Sequence, residues 1–206
     1  MRTYVYIDGF NLYYGCVKGT PYRWLNPAAM CQLLLPKHQI LKIKYFTALV
    51  TARPNDPTQP IRQQTYLRAL RTLPDLEVTL GFFLAHPVTL PLAHPTPGNN
   101  YAMVIRTDEN GSDVNLATQL LTDTFDNAFD CAVLVTNDSD LLAPVNVVRQ
   151  KFKKVVGVLN PQKRPARALL ANVDFYKKIR SHVLAQCQFP LTLPDQHGTF
   201  HRPASW

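Results

Sequence analysis

The sequence predicts an α/β fold in which a doubly wound, mainly parallel central sheet is flanked by helices. The first observation is that short apolar runs alternate along the chain with segments of helical spacing, the pattern of strands covered on both faces by helices. The second is composition: 206 residues with 46% hydrophobic and 17% charged residues fit one substantial core and exclude a disordered chain. We therefore expect one domain over residues 1–185 and an extended tail over 186–206.

The first half of the chain is predicted to alternate strands with helices. The Asn26-Pro27 pair opens one helix, because asparagine is a favoured N-cap and proline suits the first helical position. Gly81 marks a possible bulge in the third strand. The predicted elements are a strand at 2–7, a short helix at 11–17, a helix from 27 to about 35, a strand at 40–50, a loop at 51–57, a basic helix at 59–73 and a strand at 76–84.

The second half begins with a proline-rich stretch, 86–100, that predicts an excursion from the sheet. Gly98-Asn99-Asn100 favours a hairpin in which residues 101–106 return. A helix is predicted over 113–126, with apolar positions 114, 117, 121 and 125 as its buried face. Then follow a strand at 131–136, a helix that buries Leu141, Val145, Val148 and Phe152, and a strand at 154–159. Three prolines and few apolar residues after 185 predict the extended tail.

Charge and cysteine usage narrow the function classes. Lysine and arginine total 22 against 14 acidic residues, which gives a net charge of +8 and favours a polyanionic partner. The chain has no apolar stretch near the roughly 20 residues of a membrane span and no signal-peptide pattern at its start, so a cytoplasmic protein is expected. Cys16, Cys31, Cys131 and Cys187 lack zinc-ligand spacing, and Cys131 is interpreted as a core residue.

Aspartates stand where predicted strands end or helices begin. Asp8 ends the first strand, Asp138 and Asp140 follow the strand at 131–136, and Asp113 opens a helix. Active sites of open parallel sheets lie beyond the carboxyl ends of the strands, and carboxylates beside a core are costly unless paired or bound to a cation. We therefore expect these four aspartates to hold Mg²⁺ or Mn²⁺, as one ion or two, for phosphodiester chemistry.

Each acid also has a purely structural interpretation. Asp113 and Asp140 are potential N-caps, and Asp138 is a potential turn residue. Asn11 is a potential cap of the short helix. Asp108 and Glu109 are interpreted as solvated loop charges, with substitute ligands as the alternative.

Three motifs, in this order, resemble the NYN domain family, a branch of the PIN-like nucleases. They are Asp8-Gly9-Phe10-Asn11, Gly111-Ser112-Asp113-Val114-Asn115 and Thr136-Asn137-Asp138-Ser139-Asp140-Leu141, followed by a strand that ends in Asn160-Pro161. The resemblance covers roughly residues 1–175. It implies a PIN-like sheet and a Mg²⁺-dependent ribonuclease whose catalytic, metal-binding acids are Asp8, Asp113, Asp138 and Asp140, with Asn11 in support. Asn110 departs from the pattern, because many relatives carry a lysine there.

Substrate contacts are predicted on the same edge as the acids. Lys163, Arg164 and Arg167 follow the strand at 154–159, and Arg53 follows the strand at 40–50. These cations are placed to hold phosphates, and a solvated charge cluster is the alternative. Three further arginines are interpreted as the solvent-exposed face of a helix (Arg62, Arg68 and Arg71). Four aromatic residues are interpreted either as platforms for stacking unpaired bases or as core residues (Tyr13, Tyr14, Tyr22 and Trp24).

The leading hypothesis is a divalent-metal-dependent endoribonuclease acting on RNA, with single-stranded DNA as the alternative polymer. A second hypothesis is a non-catalytic RNA-binding or regulatory module that keeps the acidic pocket. A third is a metal-dependent phosphatase acting on a small metabolite. The oligomeric state is left open, a homodimer being one expectation.

Overall fold

The computed structural model describes residues 1–96 and 98–206. Its strands are β1 (Arg2–Asp8), β2 (Gln39–Ala48), β3 (Leu76–Thr96), β4 (Asn99–Asn110), β5 (Cys131–Val135), β6 (Val155–Asn160), β7 (Phe175–Lys178), β8 (Thr192–Asp195) and β9 (Gly198–His201). Its α-helices are α1 (Gly9–Leu12), α2 (Pro27–Leu34), α3 (Gln59–Leu70), α4 (Ser112–Phe125), α5 (Leu142–Asn146), α6 (Arg167–Leu170) and α7 (Ser181–Gln186). A 3-10 turn precedes α5, and π-helical turns continue α1 and α5 (Ser139–Leu141, Tyr13–Val17 and Val147–Lys151).

A seven-stranded sheet in the order β4-β3-β2-β1-β5-β6-β7 organises the molecule. Neighbouring strands run parallel except β3 and β4, which are antiparallel. The predicted fold class is therefore confirmed. Because β1 and β5 are neighbours, with Ile7 opposite Val135, Asp8 and the residues after β5 come to the same edge of the sheet.

The central strands are buried on both faces, as the apolar runs predict. On β5 all five side chains are buried, and they alternate between two cores. Val133 and Val135 face one core with Val5 and Ile7 of β1, whereas Leu134 packs on the other side with Tyr6.

The predicted buried face of α4 is wrong at two of its four positions, because Ala117 and Leu121 are half-buried and pack against the core but the other two do not. Val114 and Phe125 are 68% and 62% exposed, whereas Leu116 and Leu120 are fully buried. Asp123 and Thr124 complete the buried side. Asp123 is buried because it accepts hydrogen bonds from the Tyr6 hydroxyl at 2.7 Å and the Lys44 ammonium at 2.9 Å. A buried carboxylate therefore sets the rotation of this helix.

The predicted hairpin is confirmed but is longer than expected. The sheet partner β2 follows β3 only as far as Gly81, and beyond that point β3 pairs with β4 alone. We call this two-stranded projection, residues 82–96 and 99–110, the arm. It carries exposed apolar side chains on both of its faces, among them Phe82 (56% exposed), Met103 (78%) and Ile105 (70%).

The segment after residue 185 folds, contrary to the expected extended tail. Strands β8 and β9 pair as a hairpin, and Phe189 and Phe200 are buried against the Trp24 ring, with centroids 5.7 and 6.4 Å away. Strand β7, which pairs with β6, was also not expected. The proline content of residues 186–206 predicts an extended tail, but the packing of large aromatic rings fixes this segment against the domain.

Cys131 is buried in β5, as its interpretation as a core residue requires. All four cysteines are free thiols. Within the described parts of the chain, no helix has the length and apolar character needed to cross a membrane.

Candidate active site

Asp8 lies at the carboxyl end of β1 and is only 6% exposed. It is also the N-cap of α1, because its Oδ1 accepts a hydrogen bond from the Asn11 amide at 2.8 Å. Its Oδ2 accepts one from the Thr136 hydroxyl at 3.2 Å. Burial, followed by the negative charges of Asp113 and Asp138, raises the pKa of this carboxyl to about 6.

Thr136 joins the two acidic motifs beneath the surface. Its fully buried hydroxyl donates to Asp8 and accepts from the Asp138 amide at 3.1 Å. The Asp138 Oδ1 in turn accepts from the Asp140 amide at 2.9 Å, so Asp138 caps the 3-10 turn that follows. The turn interpretation of Asp138 is therefore correct, and it also leaves this residue half-buried beside Asp8, whereas Asp140 is exposed.

Asp113 approaches the same place from the first turn of α4. It is not the N-cap, a position that Gly111 occupies with φ of 91°. Burial raises the pKa of the Asp113 carboxyl, and so do the charges of Asp138, Glu109 and Asp140. The four predicted acids therefore lie in one shared field, to which Glu109 also contributes.

Repulsion within this group is not relieved by a basic partner. None of the four aspartates makes a salt bridge in the parts of the chain that the structure describes. Such a set of oxygen donors fits a hard divalent cation. Among residues 1–96 and 98–206, however, no three His, Cys, Asp or Glu side chains are arranged to hold a metal ion. The arrangement therefore suits an ion held by one or two carboxylates and by water, as Mg²⁺ commonly is.

Asn11 ties the loops of this edge together and does not cap α1. Its Oδ1 accepts from the Asn137 amide at 3.1 Å and from the Gln162 side chain at 3.5 Å. The Asn137 side chain then donates to the Arg164 carbonyl at 3.0 Å and accepts from the Ala166 amide at 2.7 Å. The loop after β6 is thereby fixed against the loop after β5.

The predicted cations divide into two groups. Lys163 and Arg164 line an open groove together with Asn11 and Asp138. Arg53 lines a different depression with Glu109, and Arg167 is exposed in α6. The structure therefore brings Lys163 and Arg164 next to an acid.

The other basic and aromatic residues have mainly structural places. Arg62 pairs with Asp56, and Arg68 pairs with Asp195 of β8, so these two arginines link elements and are not a purely solvated face. Trp24 is 1% exposed and belongs to the core, whereas Tyr14 is 48% exposed and lines the groove of Lys163 and Arg164.

Sequence reasoning missed several polar residues of this edge. Thr136 and Asn160 are fully buried, and Asn160 accepts from the Gln162 amide at 2.7 Å and donates to the Tyr176 hydroxyl at 2.7 Å. The available signal was a polar residue at the end of an apolar strand. Glu109 was interpreted as a loop charge, but it lies in β4 and accepts from the Ser112 amide at 3.2 Å.

Comparison with known proteins shows which family the chain is related to. The model of the NYN domain matches residues 2–180, a range that contains all three acidic motifs. The chain belongs to the NYN domain family. NYN domains are grouped with the PIN-like nucleases, in agreement with the resemblance of the motifs.

A curated relative and a solved structure extend the comparison of this NYN protein. The relative, 6-hydroxy-3-succinoylpyridine 3-monooxygenase HspA of Pseudomonas putida (strain DSM 28022 / S16), is 32% identical over 238 residues, covering 100% of this chain and 75% of its own. The structure, of a protein of unknown function, VPA0982, from Vibrio parahaemolyticus RIMD 2210633, is 19% identical with a TM-score of 0.58. It covers 87% of this chain and 93% of its own, and it shares the fold.

Proposed function

We propose that this NYN protein is a divalent-metal-dependent ribonuclease that hydrolyses RNA phosphodiester bonds at the edge formed by β1 and β5. The observation that carries the proposal is the convergence of Asp8, Asp113 and Asp138 at one edge of the sheet, where the charges of Asp113 and Asp138 raise the pKa of Asp8 and that of Asp138 raises the pKa of Asp113. Uncompensated carboxylates of this kind favour cation binding.

The acids at this edge would bind the metal ion, and neighbouring polar residues would hold the acids in position. One or two of Asp8, Asp113 and Asp138 would hold Mg²⁺ or Mn²⁺ directly, and the remaining acids, with the exposed Asp140 as an outer contributor, would contact the ion through its water ligands. When bound, the ion supplies an activated water and neutralises charge on the phosphoryl oxygens. Thr136 and Asn11 keep Asp8 and the loop after β5 in place.

Polymer contacts are assigned to the groove beside Asp138. Lys163 and Arg164 line it and would hold phosphates next to the one being cleaved, with Arg53 and Arg167 as outlying contacts. The net charge of +8 supports a polyanion as substrate. RNA is the proposed partner, and single-stranded DNA is the alternative polymer.

Cleavage of end-labelled RNA with Mg²⁺ or Mn²⁺ tests the proposal. Asp8→Asn and Asp138→Asn keep the side-chain oxygen that accepts the local backbone hydrogen bond, and each is expected to lower the cleavage rate at least a hundredfold. Asp126→Asn, at an exposed position after α4, is the matched control and should retain full activity. Equal cleavage by the wild type and the Asp8 variant would overturn the assignment.

The same assay separates the other hypotheses. Metal-dependent RNA binding without cleavage by any ion would support a non-catalytic regulatory module. Turnover of small phosphate esters without any effect on RNA would support a phosphatase.

A second candidate function is hydroxylation of a nitrogen heteroaromatic ring. It is supported by the relative that is named as a monooxygenase of 6-hydroxy-3-succinoylpyridine, and by an aromatic cavity beside Gly9, described below. Such a reaction puts one atom of O₂ into the ring and reduces the other to water with two electrons from a donor such as a reduced nicotinamide. Donor-dependent O₂ uptake with a hydroxypyridine substrate, and product that has gained one oxygen atom, tests it.

A further inference from the structure

A cavity of about 360 Å³ lies beside α1 and shares Tyr14 with the groove of Lys163 and Arg164. It is bordered by α1 and the π-helical turn that follows, by residues at the end of β2, by α3 and by Trp206. Its volume is at the small end of the range for ligand sites. Six of its twenty lining residues are aromatic (Phe10, Tyr13, Tyr14, Tyr45, Tyr66 and Trp206).

The aromatic lining favours a flat ligand. Tyr66 packs edge-on against Tyr45 and Trp206, with centroids 6.5 and 5.9 Å away, so the wall consists of ring edges and faces set at steep angles. The Tyr66 hydroxyl is already used, because it donates to the Leu25 carbonyl at 2.9 Å. Stacking and edge contacts on such walls are strongest for a planar ring.

Polar groups of the cavity favour a ring that carries an acceptor or a negative charge. Arg23 lines the cavity. Its Nη1 donates to the Ser205 carbonyl at 3.4 Å, and its guanidinium makes no salt bridge within the described residues. Arg62, by contrast, already pairs with Asp56. Arg23 is therefore a cation at the wall of the cavity that no carboxylate of the described residues neutralises.

The cavity is adjacent to the candidate active site. Gly9, the neighbour of Asp8, lines it, and a Cβ placed on Gly9 would lie 2.6 Å from the Tyr45 ring. Tyr14 lines both this cavity and the groove that contains Asp138. One exposed side chain therefore borders both the cavity and the groove that contains an acid.

We propose that this cavity binds a planar heteroaromatic ring with an acceptor or anionic substituent, held by Arg23 and enclosed by Trp206. The ring is either an unpaired base of RNA or a free heterocyclic acid, since both present the same chemistry to these walls. Binding of the ring does not depend on either proposed function. Only the reaction of the bound ring, as part of an RNA substrate or as a free heterocycle, rests on the proposed functions.

Intrinsic fluorescence tests the proposal, because Trp206 contacts the cavity. The metal-free protein is titrated with adenosine monophosphate in one arm and with pyridine-3-carboxylate in the other. A saturable change in tryptophan emission is expected with at least one probe, and Trp206→Phe should remove most of it. Tighter binding of the nucleotide identifies RNA as the source of the ring, and tighter binding of the acid identifies a free heterocycle.

Arg23→Met should weaken binding at least tenfold, whereas Arg71→Met, at an exposed position next to α3, should leave it unchanged. Tyr14→Ala, at an exposed side chain, replaces Arg23→Met if that variant is unstable, and the same tenfold loss is expected. No saturable change with either probe at millimolar concentration, or equal affinity in the wild type and the Arg23 variant, overturns the proposal. Asp8→Asn should keep ring binding, so loss of cleavage and loss of the cavity ligand are told apart.

Discussion

Asp8 combines two demands that usually exclude each other, burial and negative charge. It is 6% exposed, its oxygens accept from Asn11 and Thr136, and its pKa is nevertheless raised to about 6. The two hydrogen bonds lower the pKa but do not offset burial and the nearby acids. The metal-free protein therefore carries a destabilising charge at neutral pH.

This charge predicts a pH dependence of stability. Because the pKa of Asp8 is higher in the folded state, that state binds the proton more tightly between pH 4 and 6, and the free energy of unfolding should fall as pH rises through this window. At pH 7 the metal-free Asp8→Asn variant should be more stable than the wild type by on the order of 2 kcal/mol. Urea unfolding in a chelator, from pH 4 to 8, measures this.

Asp126→Asn, at an exposed position, is the control and should follow the wild-type curve. A wild-type curve that coincides with that of Asp8→Asn at every pH would contradict the prediction.

The sequence was sufficient to predict the positions of the acids but not their supporting residues. Asp8 and Asp138 follow apolar strands, and parallel strands end at a common edge, so their proximity could be anticipated. Thr136 and Asn160 look like ordinary strand ends, and their role depends on which strands are neighbours in the sheet. That neighbourhood is a tertiary property that one sequence does not reveal.

At the scale of elements, the rotation of α4 is the clearest difference between prediction and structure. The apolar positions 114, 117, 121 and 125 have helical spacing, and so do Leu116, Leu120, Asp123 and Thr124. Hydrophobicity favours the first set, because the second set includes an aspartate and a threonine. Its burial depends on Lys44 of β2 and Tyr6 of β1, which are remote in the chain.

Removing Asp123 should therefore destabilise the attachment of α4. Asp123→Ala leaves the nearly buried Lys44 ammonium and the buried Tyr6 hydroxyl without their acceptor, and a loss of roughly 3–5 kcal/mol in unfolding free energy is expected. The double variant Lys44→Met/Asp123→Leu should recover most of that loss. Chemical denaturation of both variants measures the difference, and a single variant within 1 kcal/mol of the wild type would contradict it.

At the scale of the whole molecule, the alternation of strands and helices was enough to predict a parallel sheet. The order of the strands was not predictable, because it depends on where each crossover returns. The hairpin was recognised from Gly98 and its prolines, but its length was not, since apolar exposed strands resemble strands of the core.

The arm predicts that the protein is a homodimer. Its exposed apolar side chains follow one another along a two-stranded ribbon, and contiguous exposed apolar surface of this kind marks protein–protein interaction sites. A second copy presents the same ribbon and meets it by a two-fold contact. Sedimentation at micromolar concentration should therefore give a dimer.

The variant Met103→Lys/Ile105→Lys, with both changes on one face of the arm, should sediment as a monomer. Ile61→Lys, at a side chain of α3 that is 65% exposed, is the matched control and should remain a dimer. A monomeric wild type, or dissociation in both variants, would contradict the prediction.

The course of the arm has a mechanical consequence. Strand β4 ends at Asn110, and α4, with Asp113 in its first turn, begins two residues later. Gly81 lets this junction lie close, because a Cβ there would be 2.6 Å from the Asn110 carbonyl. A two-stranded ribbon roughly 40 Å long is thus joined almost directly to one carboxylate, and we expect binding at its far end to change how near that carboxylate lies to the other acids.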